Sequence, residues 1–289
     1  MIIIEIIGGL GNQMFQYALG RYLSEKNNVD FKLDITGFEN YSLRNYELGI
    51  FNIKESFASP EEIEEIKYKK QNIIIKMLRR KKEKKLSKNY IQEKHFHFDP
   101  EILGIKDNVY LSGYWQSEKY FMEIADILKK EFSIKSEPNA KNREFLEKIK
   151  NTNSVSLHIR RGDYVSDAQT KSVHCVNFDE YYVNAVNLMK EKLENPHFFI
   201  FSDEPEWVKN NFAQDMEFII VDCNSSDTGY EDMRLMSNCR HNITANSSFS
   251  WWGAWLNNNP DKIVITPQKW FNISERNIKD LLPESWIKL

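Results

Sequence analysis

The chain has little of what several functional classes require. Its three cysteines, Cys175, Cys223 and Cys239, form no Cys-x-x-Cys pair, which argues against a cysteine metal site or a disulfide framework. The formal net charge of −3 provides no positive field that would attract nucleic acid. No apolar run reaches the roughly 18 residues of a membrane-spanning helix, and the N-terminus lacks a signal-peptide pattern. We therefore predict a cytoplasmic protein.

What the sequence does contain is an alternation typical of α/β proteins. An apolar segment at residues 2–7 is followed by a glycine-containing turn, an amphipathic segment and a second apolar segment at 29–35, the order of a parallel α/β unit. Apolar spacing also predicts a helix over residues 120–132. The alternation resumes at the strand 155–159. We predict two successive α/β domains, 1–150 and 151–289.

A dense basic run lies at residues 76–88. Such runs are usually solvated helix faces or loops, but clustered basic residues also suit an anionic membrane or a lipid-linked acceptor. Peripheral contact with the inner face of the membrane is the second interpretation. The basic residues are Lys76, Arg79, Arg80, Lys81, Lys82, Lys84, Lys85 and Lys88.

The clearest chemical signal is the segment 158–163, which reads His-Ile-Arg-Arg-Gly-Asp directly after a strand-like run. Ligands of open α/β sheets bind at the carboxyl ends of strands. Paired guanidinium groups match phosphate oxygens in shape and charge. In isolation an arginine pair is usually surface charge, but this position predicts an anion site built on Arg160 and Arg161.

Two further segments place polar groups at helix starts. Residues 242–252 carry Ser247 and Ser248 between a strand and a helix, where serine is an ordinary N-cap and where free N–H groups also suit a phosphate. The turn at residues 8–13, Gly-Gly-Leu-Gly-Asn-Gln, permits a close backbone approach to a ligand. With Asp34 it also mimics a dinucleotide-binding start, so an NAD(P)-dependent oxidoreductase is the alternative enzyme.

Together, these three ordered segments resemble the α-1,2-fucosyltransferases of glycosyltransferase family 11, within the α-1,2/α-1,6/protein O-fucosyltransferase superfamily. The resemblance implies two Rossmann-like domains facing across a cleft, of GT-B type. It implies an acceptor-side domain first and a GDP-fucose-binding domain second. The implied activity is inverting transfer of L-fucose from GDP-β-L-fucose to the 2-hydroxyl of a terminal galactose on a glycan.

The resemblance also implies roles for individual residues. Arg160 would hold the diphosphate, and Asp232, with Glu231 as its competitor, would pair with guanine through N1–H and N2–H₂. Asn12 would touch the diphosphate or the transferring sugar. The other implied donor-binding residues are His158, Arg161, Ser247, Ser248, Phe249 and Gly11.

The expected chemistry is the loss of a diphosphate leaving group from an oxocarbenium-like transition state. Many nucleotide-sugar enzymes hold a divalent metal with Asp-x-Asp. That pattern is absent from the sequence, so we predict transfer without a metal or other cofactor. Asp163 is either the base that receives the acceptor proton or an ion-pair partner of an arginine. A carbohydrate- or nucleotide-binding module without activity is the non-enzymatic alternative.

Overall fold

The computed structural model describes residues 1–39, 44–69, 85–161, 179–212, 217–272 and 277–289. The chain forms two compact units, each with its own sheet. The first unit comprises Met1–Ser133 and Lys279–Leu281, and the second comprises Ile134–Ile278 and Leu282–Leu289. Every strand pair in both sheets is parallel, which confirms the predicted α/β class. The contacts divide the chain before the helix at 140–150, whereas the sequence placed the boundary after it.

The described residues of the first unit form a sheet of four strands in the order β2-β1-β4-β3. These strands are β1 (Ile2–Glu5), β2 (Phe31–Asp34), β3 (Tyr90–Gln92) and β4 (Val109–Ser112). Its helices are α1 (Leu10–Asn27), α2 (Pro60–Lys67) and α3 (Ala125–Glu131).

Helix α1 is the buried centre of the first unit. Met14, Tyr17 and Leu23 are all completely buried. So are Gln13 and Phe15 beside them, so this part of the helix is buried on every side, whereas the sequence predicted an amphipathic helix. At Gly20 the helix lies so close to the sheet that a Cβ atom would be 3.1 Å from the side chains of both Ile4 and Phe31. The close packing fixes α1, and therefore the turn that precedes it, against the carboxyl end of β1.

The prediction of a helix over residues 120–132 is wrong for the first half of that segment. The chain instead makes two 3₁₀ turns, Glu118–Tyr120 and Met122–Ile124, before α3 begins. Between them Phe121 is completely buried, with φ −143° and its ring centre 6.0 Å from that of Phe15. Packing of this ring in the core takes its backbone out of the helical region.

In the second unit, the described residues form six strands in the order β10-β9-β8-β5-β6-β7. These are β5 (Asn153–Ile159), β6 (Pro196–Ser202), β7 (Phe218–Val221), β8 (His241–Ile243), β9 (Val264–Thr266) and β10 (Ile287–Lys288). Its helices are α4 (Ala140–Lys150), α5 (Asp179–Lys192), α6 (Pro205–Asn211), α7 (Gly229–Asn238) and α8 (Ser248–Trp255).

Strand β5 organises the second unit because it pairs with β6 on one side and β8 on the other. Its alternate residues Val155, Leu157 and Ile159 are buried in one core cluster with residues of α5. The residues between them point to the other face of the sheet, where Ser156 accepts a hydrogen bond from Asn242 at 2.7 Å. The segments that follow β5, β6 and β8 therefore leave the sheet at the same edge.

Candidate functional site

Arg160 follows the last residue of β5 and forms an ion pair. Its Nη1 lies 2.9 Å from Oδ2 of Asp203, and the two side chains are 24% and 22% exposed. The other oxygen of Asp203 accepts the backbone N–H of Arg161 at 3.0 Å. One carboxylate thus fixes both the Arg160 guanidinium and the backbone that carries it, while leaving the cation partly open to solvent.

Arg161 is held by a different pair of groups. Its Nε lies 3.1 Å from Glu204, and its guanidinium carbon lies 3.5 Å from the centre of the Trp207 ring, a cation–π geometry. These contacts hold Arg161 against the start of α6.

Asp203, Glu204 and Trp207 were missed by the reasoning from sequence. A signal was present, because β6 pairs in register with β5 as far as Ile159 and Ser202, and two carboxylates follow immediately. Asp163, the candidate base or ion-pair partner, lies outside the described residues. For Arg160 and Arg161, the structure gives Asp203 and Glu204 as ion-pair partners.

His158 is a neutral, buried side chain. It is 5% exposed, and its ring centre lies 5.8 Å from that of Phe249. Burial, together with the charge of Arg160, lowers the pKa of His158 to about 3, so the ring carries no charge at neutral pH. Its Nδ1 has no hydrogen-bond partner among the described residues, and its backbone carbonyl accepts from the Tyr182 hydroxyl at 3.0 Å. The imidazole is thus unsuited to proton transfer.

Ser247 and Ser248 occupy different positions at the start of α8. Ser247 is the N-cap residue, and its Oγ accepts from the N–H of Phe249 at 3.3 Å. Ser248 is the first residue of the helix and is half-buried. Since β8 pairs with β5, this helix start lies at the same sheet edge as the segment after β5.

Asp232 and Glu231 were competitors in the sequence, and the structure separates them. Glu231 is 4% exposed and meets Arg234 through both oxygens, at 2.8 and 3.3 Å. Asp232 is half-buried, and burial raises its pKa to about 7. Its Oδ1 accepts from Asn224 at 2.7 Å. The carboxylate of Asp232 is therefore the better placed of the two to receive a ligand.

A chain of amides supports Asp232. Asn142 on α4 is completely buried, and it exchanges two hydrogen bonds with Asn224, of 2.8 and 3.0 Å. These bonds fix the orientation of Asn224, whose amide N–H then fixes one oxygen of Asp232. Asn142 and Asn224 carry no recognisable motif, which explains why the sequence did not reveal them.

Comparison with known proteins gives the chain its family. The model of "Glycosyl transferase family 11" matches residues 1–289. The chain belongs to this family. An alpha-1,2-colitosyltransferase of Escherichia coli is 37% identical over 303 residues, covering 100% of this chain and 99% of the relative. The E. coli O-antigen biosynthesis glycosyltransferase WbnK is 34% identical, covering 98% of each chain. The resemblance stated from the motifs is confirmed.

Solved structures share the fold of this family 11 member. Fucosyltransferase NodZ from Bradyrhizobium aligns with a TM-score of 0.51 at 11% identity, over 87% of this chain and 91% of NodZ. Arabidopsis thaliana FUT1, solved with GDP, aligns with a TM-score of 0.50 at 12% identity, over 91% of this chain and 69% of that one. The shared fold confirms the fold class predicted from the sequence.

In the first unit of this glycosyltransferase, the glycine turn forms a small hydrogen-bonded framework. Gly8 has φ +78°, and a Cβ atom there would lie 2.7 Å from Nδ2 of Asn12. Oδ1 of Asn12 accepts from Gln116 at 2.6 Å, and Gln13 donates to the Gly8 carbonyl at 2.8 Å. Asn12 is half-buried and Gly11 is buried. The turn therefore holds Asn12 firmly in place.

Asp34 provides a separate test of the dinucleotide-binding alternative. It is 2% exposed. One of its oxygens accepts from the backbone and hydroxyl of Thr36, at 2.9 and 2.7 Å, and the other accepts from Tyr110 at 2.6 Å. A carboxylate used in this way has little capacity for a ribose hydroxyl. With the family known, the oxidoreductase alternative has no support.

In the described part of the chain, no helix combines the length and the apolar character needed to cross a membrane. Nor are any three His, Cys, Asp or Glu side chains of these residues grouped so as to hold a metal ion. Of the basic run, Lys76 to Lys84 lie outside the described residues, while Lys85 and Lys88 are exposed.

Proposed function

We propose that this glycosyltransferase is a galactoside α-1,2-fucosyltransferase that moves L-fucose from GDP-β-L-fucose to the 2-hydroxyl of a terminal galactose. Relatives with α-1,2 activities in their names support the linkage, including galactoside alpha-(1,2)-fucosyltransferase 2 of Rattus norvegicus at 22% identity over 89% of this chain. The observation that carries the proposal is that Arg160 and the α8 start with Ser248 lie at one sheet edge, and that Asp232 is held ready by Asn224.

Arg160 and the start of α8 suit the diphosphate. As the anomeric C–O bond breaks, negative charge grows on the departing phosphate, and donors already in position stabilise it best. Asp203 fixes the Arg160 guanidinium, and the Arg160 side chain is 24% exposed. The Ser248 hydroxyl and the first N–H groups of α8 add neutral donors and the positive end of the helix dipole.

Asp232 suits the guanine base of the donor. An ionised carboxylate accepts from both N1–H and N2–H₂ of guanine, a pattern that adenine and uracil do not present. Asn224 occupies Oδ1 at 2.7 Å, which restricts rotation of the carboxylate and favours one approach for the base. The proposed donor is therefore a GDP-sugar.

The proposed transfer inverts the anomeric centre. The galactose hydroxyl attacks the face opposite the diphosphate and yields an α-fucoside. We propose that Arg160 stabilises the negative charge of the leaving group and that Asn12 contacts the donor. Asp163 either accepts the proton of the acceptor hydroxyl or pairs with an arginine. Because the chain has no Asp-x-Asp pattern, we propose that the arginine and helix-start donors act without a metal.

The sugar has a second candidate. The colitosyltransferase relative at 37% identity acts with a sugar that differs from L-fucose by lacking the hydroxyl at carbon 3. Fucose and colitose are both 6-deoxy-L-hexoses, which matches the names of the fucosyltransferase and colitosyltransferase relatives. We therefore propose a GDP-linked 6-deoxy-L-hexose as the donor, with colitose as the specific alternative to fucose.

Calorimetry and product analysis test the proposal in two steps. GDP should bind, whereas UDP and ADP should bind at least about tenfold more weakly if the guanine contacts are made. Mass spectrometry and linkage analysis should then show an α-1,2 product from GDP-fucose and a β-galactoside, in parallel with GDP-colitose. Equal affinity for GDP and UDP would remove Asp232 from base recognition, and the absence of any fucosylated or colitosylated galactoside would refute the activity.

A further inference from the structure

The second unit contains two pairs of hydrogen-bonded asparagine side chains that differ in what lies beyond them. Asn142 and Asn224 exchange hydrogen bonds of 2.8 and 3.0 Å, and Asn224 also donates to the Asp232 carboxylate at 2.7 Å. In the other pair, Asn257 donates to Asn242 at 2.8 Å, and Asn242 donates to a backbone carbonyl of α7 at 2.8 Å. The first pair therefore ends on a carboxylate and the second on the backbone.

The pair that ends on Asp232 can be arranged in one way. An ionised carboxylate only accepts hydrogen bonds, so Asn224 must turn an N–H toward it. The Nδ2 of Asn224 also donates to Oδ1 of Asn142, while its own Oδ1 accepts from Nδ2 of Asn142. A half-turn of the Asn224 amide would place oxygen against the carboxylate and N–H groups against the N–H groups of Asn142. Asn142 thus keeps the donor side of Asn224 on Asp232.

Asn142 is itself held from two sides. It is the third residue of α4, and its backbone N–H donates to the side chain of the N-cap residue Asn139 at 2.9 Å. Its Oδ1 also accepts from the Cys223 thiol at 3.5 Å. Asn142 is completely buried, in a helix that packs against α7. Because no part of its side chain reaches solvent, Asn142 can influence a bound nucleotide only through other residues.

The hydrogen bond from Asn224 opposes the effect of burial on Asp232. Burial raises the pKa of Asp232 to about 7, and the bond from Asn224 acts in the direction of a lower pKa. A donor to the charged form of a carboxyl group favours that form. If Asn224 turned away, the pKa of Asp232 would rise further, and less of the carboxylate would be ionised at neutral pH.

The other ionisable neighbours do not take over this role. Glu231 acts to raise the pKa of Asp232 and is itself bound to Arg234 at 2.8 Å. Burial raises the pKa of the Cys223 thiol, so the thiol is neutral. Helix α8, which packs against α7, carries no ionisable side chain over Ser248–Trp255. Three exposed charged residues complete the surroundings: Lys141, Asp222 and Asp227.

We propose that Asn142 is a positioning residue of the guanine site, which acts through Asn224 to keep the Asp232 carboxylate ionised and in one orientation. The inference rests on the proposed GDP-sugar donor and deepens it. It assigns part of the recognition of guanine to a buried side chain that touches no nucleotide.

Calorimetry with GDP over a range of pH tests this role. Asn142→Ala, and Asn142→Leu as a variant that keeps the volume, should raise the pKa of Asp232 by about one unit, the loss of a hydrogen bond to a charged group. The Kd for GDP should then rise about five- to tenfold near and below neutral pH, since roughly that much less carboxylate is ionised. The loss should shrink as pH rises. Asn224→Ala should behave in the same way.

Asn257→Ala is the matched control. Asn257 is also buried and bonded to another asparagine amide, so its loss should reduce the thermal stability of the protein. Its hydrogen bonds do not lead to Asp232, so the pH profile of GDP binding should stay as in the wild type. The same loss of GDP affinity in Asn257→Ala would make the effect of Asn142 one of general stability and would overturn the proposal.

A double-mutant cycle separates action through Asp232 from local damage. In an Asp232→Asn background, Asn142→Ala should have no further effect on the Kd for GDP, because the charge on which it acts is gone. An equal fold-loss in both backgrounds would overturn the positioning role. So would a loss in the Asn142 variants that has the same size at every pH.

Titration of the Asp232 carboxyl by carbon NMR, without nucleotide, keeps this inference separate from the proposed donor. The pKa should be about 7 in the wild type, the same in Asn257→Ala, and higher in both Asn142 variants. If Asp232→Asn weakens GDP binding but the Asn142 variants change neither the pKa nor the Kd, the positioning role alone is refuted. If Asp232→Asn leaves GDP binding unchanged, the proposed guanine contact is refuted, whatever the titration shows.

Discussion

Helices α1 and α8 both begin just after a parallel strand, but they are surrounded by different polar groups. The start of α1 is bonded to other groups of the protein: Gln13 donates to the carbonyls of Gly8 and Asn45, both at 2.8 Å, Gln16 accepts from the Ile7 N–H at 3.0 Å, and the Glu47 carboxylate accepts the Leu10 N–H. The start of α8 carries serine hydroxyls and lies at the same sheet edge as the Arg160–Asp203 ion pair.

The difference between the two helix starts separates residues needed for stability from residues needed for donor binding. The turn before α1 is completed by the protein's own groups, so changes there should first reduce stability. The edge beside α8 keeps a partly exposed cation and a half-buried Ser248, so changes there should first reduce donor binding and turnover. Substitutions at Arg160, Asp232, Gly8 and the two serines should separate the two requirements, with effects that decrease in that order.

The largest effect is expected from Arg160→Ala. Removal of a positioned donor to the developing charge typically lowers kcat about 10²–10³-fold, and the free Asp203 carboxylate would add repulsion to the diphosphate. The fold should remain, since the Arg160 side chain is outside the core. Steady-state kinetics and thermal unfolding measure the two effects. Arg143→Ala, an exposed arginine on α4, should leave both unchanged. Near-normal turnover in Arg160→Ala would remove this residue from the mechanism.

The next effect is on guanine recognition by Asp232→Asn. The change replaces a charged acceptor by an amide that presents N–H to the N–H groups of guanine. Loss of a charge-assisted hydrogen bond weakens binding by about 1.5–3 kcal/mol, so the Kd for GDP should rise roughly ten- to a hundredfold. Calorimetry with GDP measures the change, and the exposed Asp227→Asn is the control. An unchanged Kd would return the base contact to another residue.

The same residue predicts a pH dependence. The pKa of Asp232 is raised to about 7 by burial, and guanine binds the ionised form, so binding below pH 7 must release a proton. Affinity for GDP should fall as pH drops below about 7 and level off above it. In Asp232→Asn this component should vanish. The phosphate of GDP titrates equally in both proteins, so the difference between their profiles belongs to Asp232. Parallel profiles would contradict the assignment.

A third change probes the other helix start. Gly8→Ala would place a Cβ atom 2.7 Å from Nδ2 of Asn12, in a backbone with φ +78°. The left-handed conformation alone costs about 1–2 kcal/mol in a non-glycine residue, so the free energy of unfolding should fall by at least that amount. Chemical denaturation measures the loss. Gly104→Ala, where an added Cβ meets nothing within 4 Å, should be close to neutral. If Gly8→Ala were as stable as Gly104→Ala, the turn before α1 would have to accommodate a Cβ atom without strain, and the prediction would be wrong.

The features that could be predicted from the sequence are those with local signals, and the features that were missed depend on contacts between distant segments. The α/β order was readable because glycine turns and apolar strands are local signals, and the positions of Arg160 and Ser248 followed from the strands before them. Asp203 was missed because its role depends on which strand lies beside β5. Asn142 and Asn224 were missed because 82 positions separate them. Helix α2 was also missed, although Ser59 and Glu62 form a capping box.

The smallest effect should separate Ser247 from Ser248. The Ser247 hydroxyl caps α8 by accepting the Phe249 N–H at 3.3 Å, so Ser247→Ala should cost about 1 kcal/mol of stability. Ser248 is the first helical residue and does not cap the helix, so Ser248→Ala should leave stability nearly unchanged. If the Ser248 hydroxyl contacts the diphosphate, its loss should weaken the binding free energy of GDP by about 0.5–1.5 kcal/mol. The Kd for GDP should then rise roughly two- to tenfold, while the Kd for guanosine should not change. Denaturation and calorimetry on both variants test the pair. A stability loss in Ser248→Ala without a change in GDP binding would make both serines structural, and the proposed diphosphate contacts would then reduce to Arg160 and the helix N–H groups.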